Sequence, residues 1–385
     1  MPSIFLLGLI YLSFISLGLP DGVLGVAWPA IRHDFGQPLA AVGAIAITLT
    51  MCSVAASVWS GGLAKRLGTG RVVAASCLMT GLALLGFSFA PGFGWLVALA
   101  IPLGLGAGAV DACLNHFVAA HCSPRHMNWL HGFWGVGATI GPLIMGVALG
   151  GTAGWQGGAR TIGLVQLALA GVLLLSLGLW RSAGEASPQS AHGVDRLAFK
   201  PVRTLSLWLA PLTFLLYVAA EMATGLWAAS ILVTERHFEP ATAGLWVSVF
   251  FGSLTAGRFG VGLFANRLGN RRLVRWGSGV ASCGAAVFAF DGLPAPLSLA
   301  GLVLTGLGCA PVFPSLMHET TRRFPPDVAR RVIGRQMGFA SVGSSVMPAA
   351  CGLLATWAGL GVVMPVVVLL FLSLLLATEL LNRLS

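Results

Sequence analysis

Polar residues in this chain come in short clusters, and between the clusters run apolar stretches of about 20 residues or more, the length an α-helix needs to cross a bilayer. That spacing predicts spans over residues 3–31, 39–64, 72–92, 94–120, 128–152, 159–181, 206–235, 240–265, 272–292, 294–318, 331–357 and 360–382. Twelve helices use up almost the whole sequence. The expected fold class is therefore an all-α membrane protein.

Composition agrees with the pattern. Of 385 residues 56% are hydrophobic and 9% charged, against roughly 25% charged in an ordinary soluble domain. No soluble fold of this size could hide so much apolar surface. The formal charge of +10 would suit a nucleic-acid binder, but its distribution points elsewhere. Of the 22 Lys and Arg, eighteen lie in alternate connections: Lys65, Arg66 and Arg71; Arg125; Arg181, Arg196, Lys200 and Arg203; Arg267 to Arg275; Arg322 to Arg335; and Arg383. The opposite connections hold Arg32, Arg160 and Arg236. This is the asymmetry that orients membrane helices, with basic loops inside. It predicts cytoplasmic termini and a lipid bilayer, in the first instance a bacterial cell (inner) membrane, as the partner that the charge addresses, and no nucleic acid.

The seven cysteines are scattered, mostly within apolar runs, with no metal-type spacing and no paired framework in outer loops. Neither disulfides nor a metal site nor any cofactor is expected. The first apolar run begins almost at Met1 without a basic leader or a small-residue cleavage site, so it reads as a retained span. A monomer is expected.

An internal repeat divides the chain. With a shift of about 200 residues, GGLAKRLGTGR (61–71) aligns with GLFANRLGNRR (262–272), GLGAGAV (104–110) with GLGCAPV (306–312), and GFWGVGATIGP (132–142) with GFASVGSSVMP (338–348). Three ordered matches at a near-constant offset indicate a six-plus-six duplication. The expected organisation is two pseudo-symmetric six-helix bundles, 1–181 and 206–385, joined by a solvated cytoplasmic linker over 182–205.

The pattern G-x-L-A-x-R-x-G-x-x-R between the second and third spans, with its second copy half a chain later, resembles the signature loop of the major facilitator superfamily. The resemblance covers essentially the whole chain. It implies the twelve-helix fold of that superfamily and transport by alternating access. In the superfamily an acidic residue of the loop helps lock the inner gate; here Lys65 and Asn266 stand at that position, so any lock must be built differently around Arg66 and Arg267.

Four charges fall inside apolar runs: Asp21, Asp111, Glu221 and Arg258. Each costs about 2.5–3.5 kcal/mol at the centre of a spanning helix on insertion scales, so partners, water or function must offset it. Asp21 sits among Gly18, Pro20, Gly22 and Gly25, where a helix can kink or break, and loosened backbone at membrane depth needs protein or a watery cavity around it. The alternative role is to cap the broken turn. Asp111 and Asn115 lie four apart and so share a helix face, offering acceptor and donor groups suited to hydroxyls, with His116 beside them. This pair resembles the fucose permease branch of the superfamily, in which an acid on the fourth helix is followed four positions later by Asn and a second acid lies on the first. On that resemblance Asp21 and Asp111 are the proton-coupling residues. In the fifth span, His131 and Trp134 stand where that branch carries Gln and Asn, so fucose itself does not carry over.

Asn115, Asn128, His131, Trp134, Trp28, Glu221, Trp227 and Gln336 are the candidate solute-binding residues, the indoles as stacking faces for a sugar ring, with helix packing as the competing role for each aromatic. Arg258 lies about 13 Å along its helix from Arg267 and is a gating candidate with Arg66 and Arg267; Glu221, one helix earlier, is its candidate partner.

The functional expectation is proton-coupled symport of a small sugar or polyol-like solute. A carboxyl group that meets water on alternate sides can take up a proton on one and release it on the other. Two alternatives use the same frame: sodium-coupled sugar entry through the same carboxylates, and export of a drug or metabolite, since Gly137, Gly141, Pro142 and Gly146 partly resemble the superfamily's antiporter motif. That stretch equally suits close packing by small residues. An enzyme is not expected, because no His/Cys cluster, nucleophile elbow or phosphate loop stands in a suitable context.

Overall fold

Hydrocarbon offers backbone amides no water, so a run that crosses it folds as a helix, whose hydrogen bonds close within the segment. In the computed structural model, which describes residues 3–122, 124–184 and 203–384, the apolar runs are helical and no strand occurs among the described residues. In chain order the helices are α1 (Ile4–Gly18), α2 (Val23–Asp34), α3 (Val42–Leu67), α4 (Thr69–Phe87), α5 (Phe93–His121), α6 (Pro124–Gly150), α7 (Gly154–Leu175), α8 (Leu177–Gly184), α9 (Thr204–Ser230), α10 (Pro240–Leu268), α11 (Asn270–Ala289), α12 (Ala295–Cys309), α13 (Val312–Arg323), α14 (Pro326–Ala358) and α15 (Val363–Leu384). Most of the expected linker, residues 185–202, lies outside the described residues.

Ten helical runs among the described residues are long and apolar enough to cross a membrane. The sequence expectation of twelve would add α10 and α11. The apolar character of α11 is diluted by Arg271, Arg272 and Arg275 in its first two turns, and α10 runs through 262–267, whose side chains are outside the described residues. Two expected spans are broken rather than continuous. The first divides between α1 and α2 at a turn containing Pro20, Asp21 and Gly22, the last with a φ of 75°, a left-handed conformation that glycine adopts without a Cβ clash. The tenth divides between α12 and α13 at Ala310 and Pro311, where the proline ring supplies no amide hydrogen to continue the helix.

The helices form two compact units. One comprises α1 to α8 together with His237–Ser248, the start of α10; the other runs from α9 to Arg236 and resumes at Val249. In the first, α1 packs on α6, α3 on α5, and α4 on both α5 and α7. In the second, α9 packs on α14 and α15, and α11 on both α12 and α15.

The repeated glycines show why the two copies resemble one another. A Cβ on Gly104 would meet the backbone of Leu49 and the side chain of Cys52 on α3; one on the aligned Gly306 would meet Phe250 and Ser253 on α10. A Cβ on Gly106 would meet Ser76 and Thr80 on α4, and one on Gly308 would meet Gly277 and Ala281 on α11. Gly137 presses on Ile15 and Leu19 of α1, and Gly343 on Leu215 and Ala219 of α9. Gly68 and Gly269 each precede a helix with φ of 87° and 78°. Small residues let helix backbones approach where lipid provides no hydrophobic drive for association, and both halves place them at the same crossings.

Candidate functional site

The break between α1 and α2 holds Asp21 against α6. Trp134 Nε1 donates to Asp21 Oδ2 at 2.8 Å, a charge-assisted bond of the stronger kind. The close approach that makes this contact available comes from glycine: Gly18 lies on the Trp134 carbonyl, Gly137 on the Ile15 carbonyl and Gly141 on the Leu19 carbonyl. The Gly-Pro stretch of α6 is thus employed in seating α1, and Gly146 packs on Gly244 and Ala241 at the start of α10.

Asp111 and Asn115 share a face of α5, as their spacing requires. Asn115 Nδ2 donates to Asp111 Oδ1 and to the Asp111 backbone carbonyl, both at 2.9 Å. The amide that the sequence offered to a solute is therefore turned on the carboxylate. His116, the next residue, is exposed. His131 sits edge-on to Phe14, with ring centroids 5.8 Å apart. Nearby, Tyr11 Oη and His126 Nδ1 are 2.6 Å apart, and Tyr11 stacks on Phe133 at 4.6 Å. Neither Tyr11 nor His126 was picked out by sequence; a lone tyrosine in an apolar run was the available signal.

The remaining aromatic candidates are packed. Trp28 is 0% exposed and meets Phe93. Trp227 is also 0% exposed, and its Nε1 donates to the Pro348 carbonyl at 2.9 Å. Gln336 is buried, with Nε2 donating to Thr320 Oγ1 at 2.8 Å. The Asn128 side chain lies outside the described residues, as does that of Arg267. Lys65 and Arg66 are exposed at the end of α3.

In the second unit Arg258 Nη2 of α10 and Glu221 Oε1 of α9 are 3.7 Å apart, so the expected neighbours do meet. Tyr217, one turn before Glu221, is buried, borders both charges, and donates its hydroxyl to the Cys309 carbonyl at the end of α12 at 3.1 Å. Its spacing of four from Glu221 was the signal that would have found it.

A second charged cluster was not foreseen. Arg271 Nε donates to Glu319 Oε1 at 2.7 Å, Arg323 lies 3.8 Å from the same oxygen, and Arg323 Nη2 donates to Asn382 at 2.6 Å. Arg275 makes a two-pronged pair with Glu379, both contacts 2.7 Å. The second loop copy, which lacks its acid at Asn266, is thus tied to carboxylates from α13 and α15.

The Major Facilitator Superfamily matches residues 10–216 and 209–383. The niacin transporter NiaP of Acinetobacter baylyi is 29% identical over 143 residues, 36% of this chain and 33% of that protein. The methyl viologen resistance protein SmvA of Salmonella typhimurium is 30% identical over 146 residues, 37% of this chain and 30% of that protein. The chain therefore spans about a third of the length of each of these relatives. A bacterial homologue of the human lysosomal transporter Spinster, solved in an inward-facing and occupied conformation, superposes with a TM-score of 0.77 at 13% identity, over 99% of this chain and 97% of that one.

Proposed function

The chain belongs to the major facilitator superfamily, and from that premise we propose that it moves a small, polar, sugar or polyol-like solute by alternating access, with protons entering alongside. It is a multi-pass membrane protein of a family of transporters. In this reading α10 and α11 are the eighth and ninth of twelve spans, and the membrane is a bacterial inner membrane with both termini cytoplasmic.

The observation that carries the reading is Asp111, within a spanning helix of the first unit and held by the neutral amide of Asn115. A carboxyl group satisfied by a neutral donor can exchange a proton without breaking an ion pair, whereas a carboxylate clamped by a cation resists protonation. Asp21, held by an indole N–H, is built on the same plan. These are also the two acidic positions that resemble the fucose permease branch.

The test is uptake into proteoliposomes of a panel of labelled sugars and polyols, with an inward proton gradient, with an inward sodium gradient, and with neither. Accumulation on the proton gradient alone supports the reading; accumulation only on sodium overturns its coupling, and no accumulation of any member overturns its solute class. A second reading, export of a drug or metabolite, is favoured by the similarity to SmvA. It predicts that cells expressing the protein resist cationic drugs.

A further inference from the structure

The crossing of α1 on α6 carries a polar pair at each end. At one end Trp134 donates to Asp21. At the other, Tyr11 Oη and His126 Nδ1 lie 2.6 Å apart, and the His126 ring stands edge-on to Trp129 at 5.7 Å. Between the two pairs His131 meets Phe14. By helix rise, His131 is about 4.5 Å along α6 from Trp134 and His126 about 7.5 Å further, while Tyr11 is about 15 Å along the chain's first span from Asp21. Asp21, His131, Tyr11 and His126 are all half-buried.

Tyr11 lies inside the apolar run Ile4–Asp34, whereas His126 stands three residues before the run Trp129–Gly150. The pair therefore joins the interior of one span to the edge of another. Its chemistry suits a proton. Whichever partner donates while the ring is neutral, a proton added to the ring makes both nitrogens donors, and the hydroxyl, donor and acceptor alike, can turn to accept. Loss of that proton to water restores the first arrangement, so the contact survives in both states. Imidazole is also the side chain whose ordinary charge change falls between about pH 5 and 8.

The helices packed on α1 and α6 bring other charges. α5 carries Asp111, His116 and His121, and α4 begins with Arg71. The charges of α2 and α7, Asp34 and Arg160 among them, stand toward the opposite end of α6. Asp21 and Asp111 each lie about 15 Å along their helices from the His126 end, so the pair is placed to hand protons to and from them over water, not to neutralise them by contact.

We propose that Tyr11 and His126 form a proton-exchange site at the mouth of the α1–α6 seam, passing protons between water and Asp21 by way of His131. The proposal rests on the transport reading above, in whose orientation this mouth is cytoplasmic, and it adds the step at which the proton leaves.

Two measurements on the full-length protein test it. Nuclear magnetic resonance of ring-labelled histidines, with the His126 signal identified by its loss in His126→Gln, follows that ring from about pH 5 to 8. The expected result is a ring that titrates with a midpoint that moves in Tyr11→Phe; a ring that keeps one state, or a midpoint indifferent to Tyr11→Phe, overturns the proposal. In proteoliposomes with the labelled sugar and polyol panel, His126→Gln should slow proton-driven accumulation severalfold and leave exchange of labelled for unlabelled solute at the wild-type rate, because exchange needs no proton to leave. Glutamine keeps a hydrogen-bonding partner for Tyr11, so a purely structural pair would be rescued. Wild-type accumulation in His126→Gln, or equal losses of accumulation and exchange, sinks this inference and leaves the transport reading standing. If His126→Gln does not fold, the same comparison in Tyr11→Phe decides alone. If no panel member accumulates on a proton gradient, the transport reading fails, and the titration by itself decides whether the pair exchanges protons.

Discussion

The indole nitrogen of Trp134 lies 2.8 Å from a carboxylate oxygen of Asp21, across the crossing of α6 on the broken start of the first span. The bond joins the turn that breaks the first span to the helix that supports it. Trp134→Phe keeps the ring and removes the donor, and the loss of this hydrogen bond to a carboxylate should cost about 1–3 kcal/mol. Asp21→Asn keeps an acceptor and should cost less. Thermal unfolding of the two variants in detergent checks the order; a Trp134→Phe melting temperature equal to wild type would dismiss the bond as a stabilising contact.

Asp111→Asn should abolish proton-driven accumulation while the protein stays folded, since the amide preserves shape and cannot release a proton. Asp21→Asn in parallel separates the two carboxylates. If both fail, the pair titrates as one coupled unit. Concentrative uptake that survives in Asp111→Asn would remove Asp111 as an essential carrier.

Asn115→Leu is expected to change more than solute affinity. The sequence alone presented Asn115 as a solute ligand, but its amide donates to Asp111, so its loss should alter the pH profile of transport as well. An affinity change with a pH profile superimposable on wild type would show that the hydrogen bond to Asp111 plays no part in coupling.

Gly137→Ala forces a methyl group onto the Ile15 backbone and should destabilise by about 1–3 kcal/mol, the usual cost of overpacking. Gly171→Ala, on α7 with open space at the same atom, should be neutral or stabilise by up to about 1 kcal/mol through helix propensity. Comparable melting temperatures for the two would contradict the crossing.

Arg271 and Glu319 make direct contact with Arg271 46% exposed, so solvent screening limits their worth, and a double-mutant cycle with Gln at each position should give a coupling of about 1 kcal/mol or less. The coupling should fall as salt is raised. A coupling of zero at low salt would leave the contact without energetic weight.

How much of this was legible in the sequence depended on the range of the interaction. The break at Gly22 could be read because glycine and proline act on their own backbone, and the Asp111–Asn115 pair because a spacing of four fixes a shared helix face. The duplication could be read because its glycines are small for the same local reason in both halves. Interactions set by the third dimension could not. Trp28 and Trp227 look alike as aromatic residues in spans, and nothing in the sequence says that one packs on Phe93 while the other donates its N–H to the Pro348 carbonyl. Glu319 stands just past the end of a predicted span, and the arginines that meet it come from another helix and, in Arg323, its own.

At the paired glycines one helix contributes no side chain, and it rests on backbone of its neighbour at Leu49, Ser76, Phe250 and Gly277 with Cys52, Thr80 and Ser253 alongside. Interlocked side chains act like gear teeth: one helix cannot slide past another unless rotamers change together, which makes packed cores switch between discrete arrangements. Where Gly104 rides on α3 and Gly306 on α10, Gly106 on α4 and Gly308 on α11, the teeth are missing from one side of the contact. These crossings mesh more shallowly, so a helix can tilt on them by small amounts with only the partner's side chains, such as Cys52, Thr80 and Ser253, left to adjust.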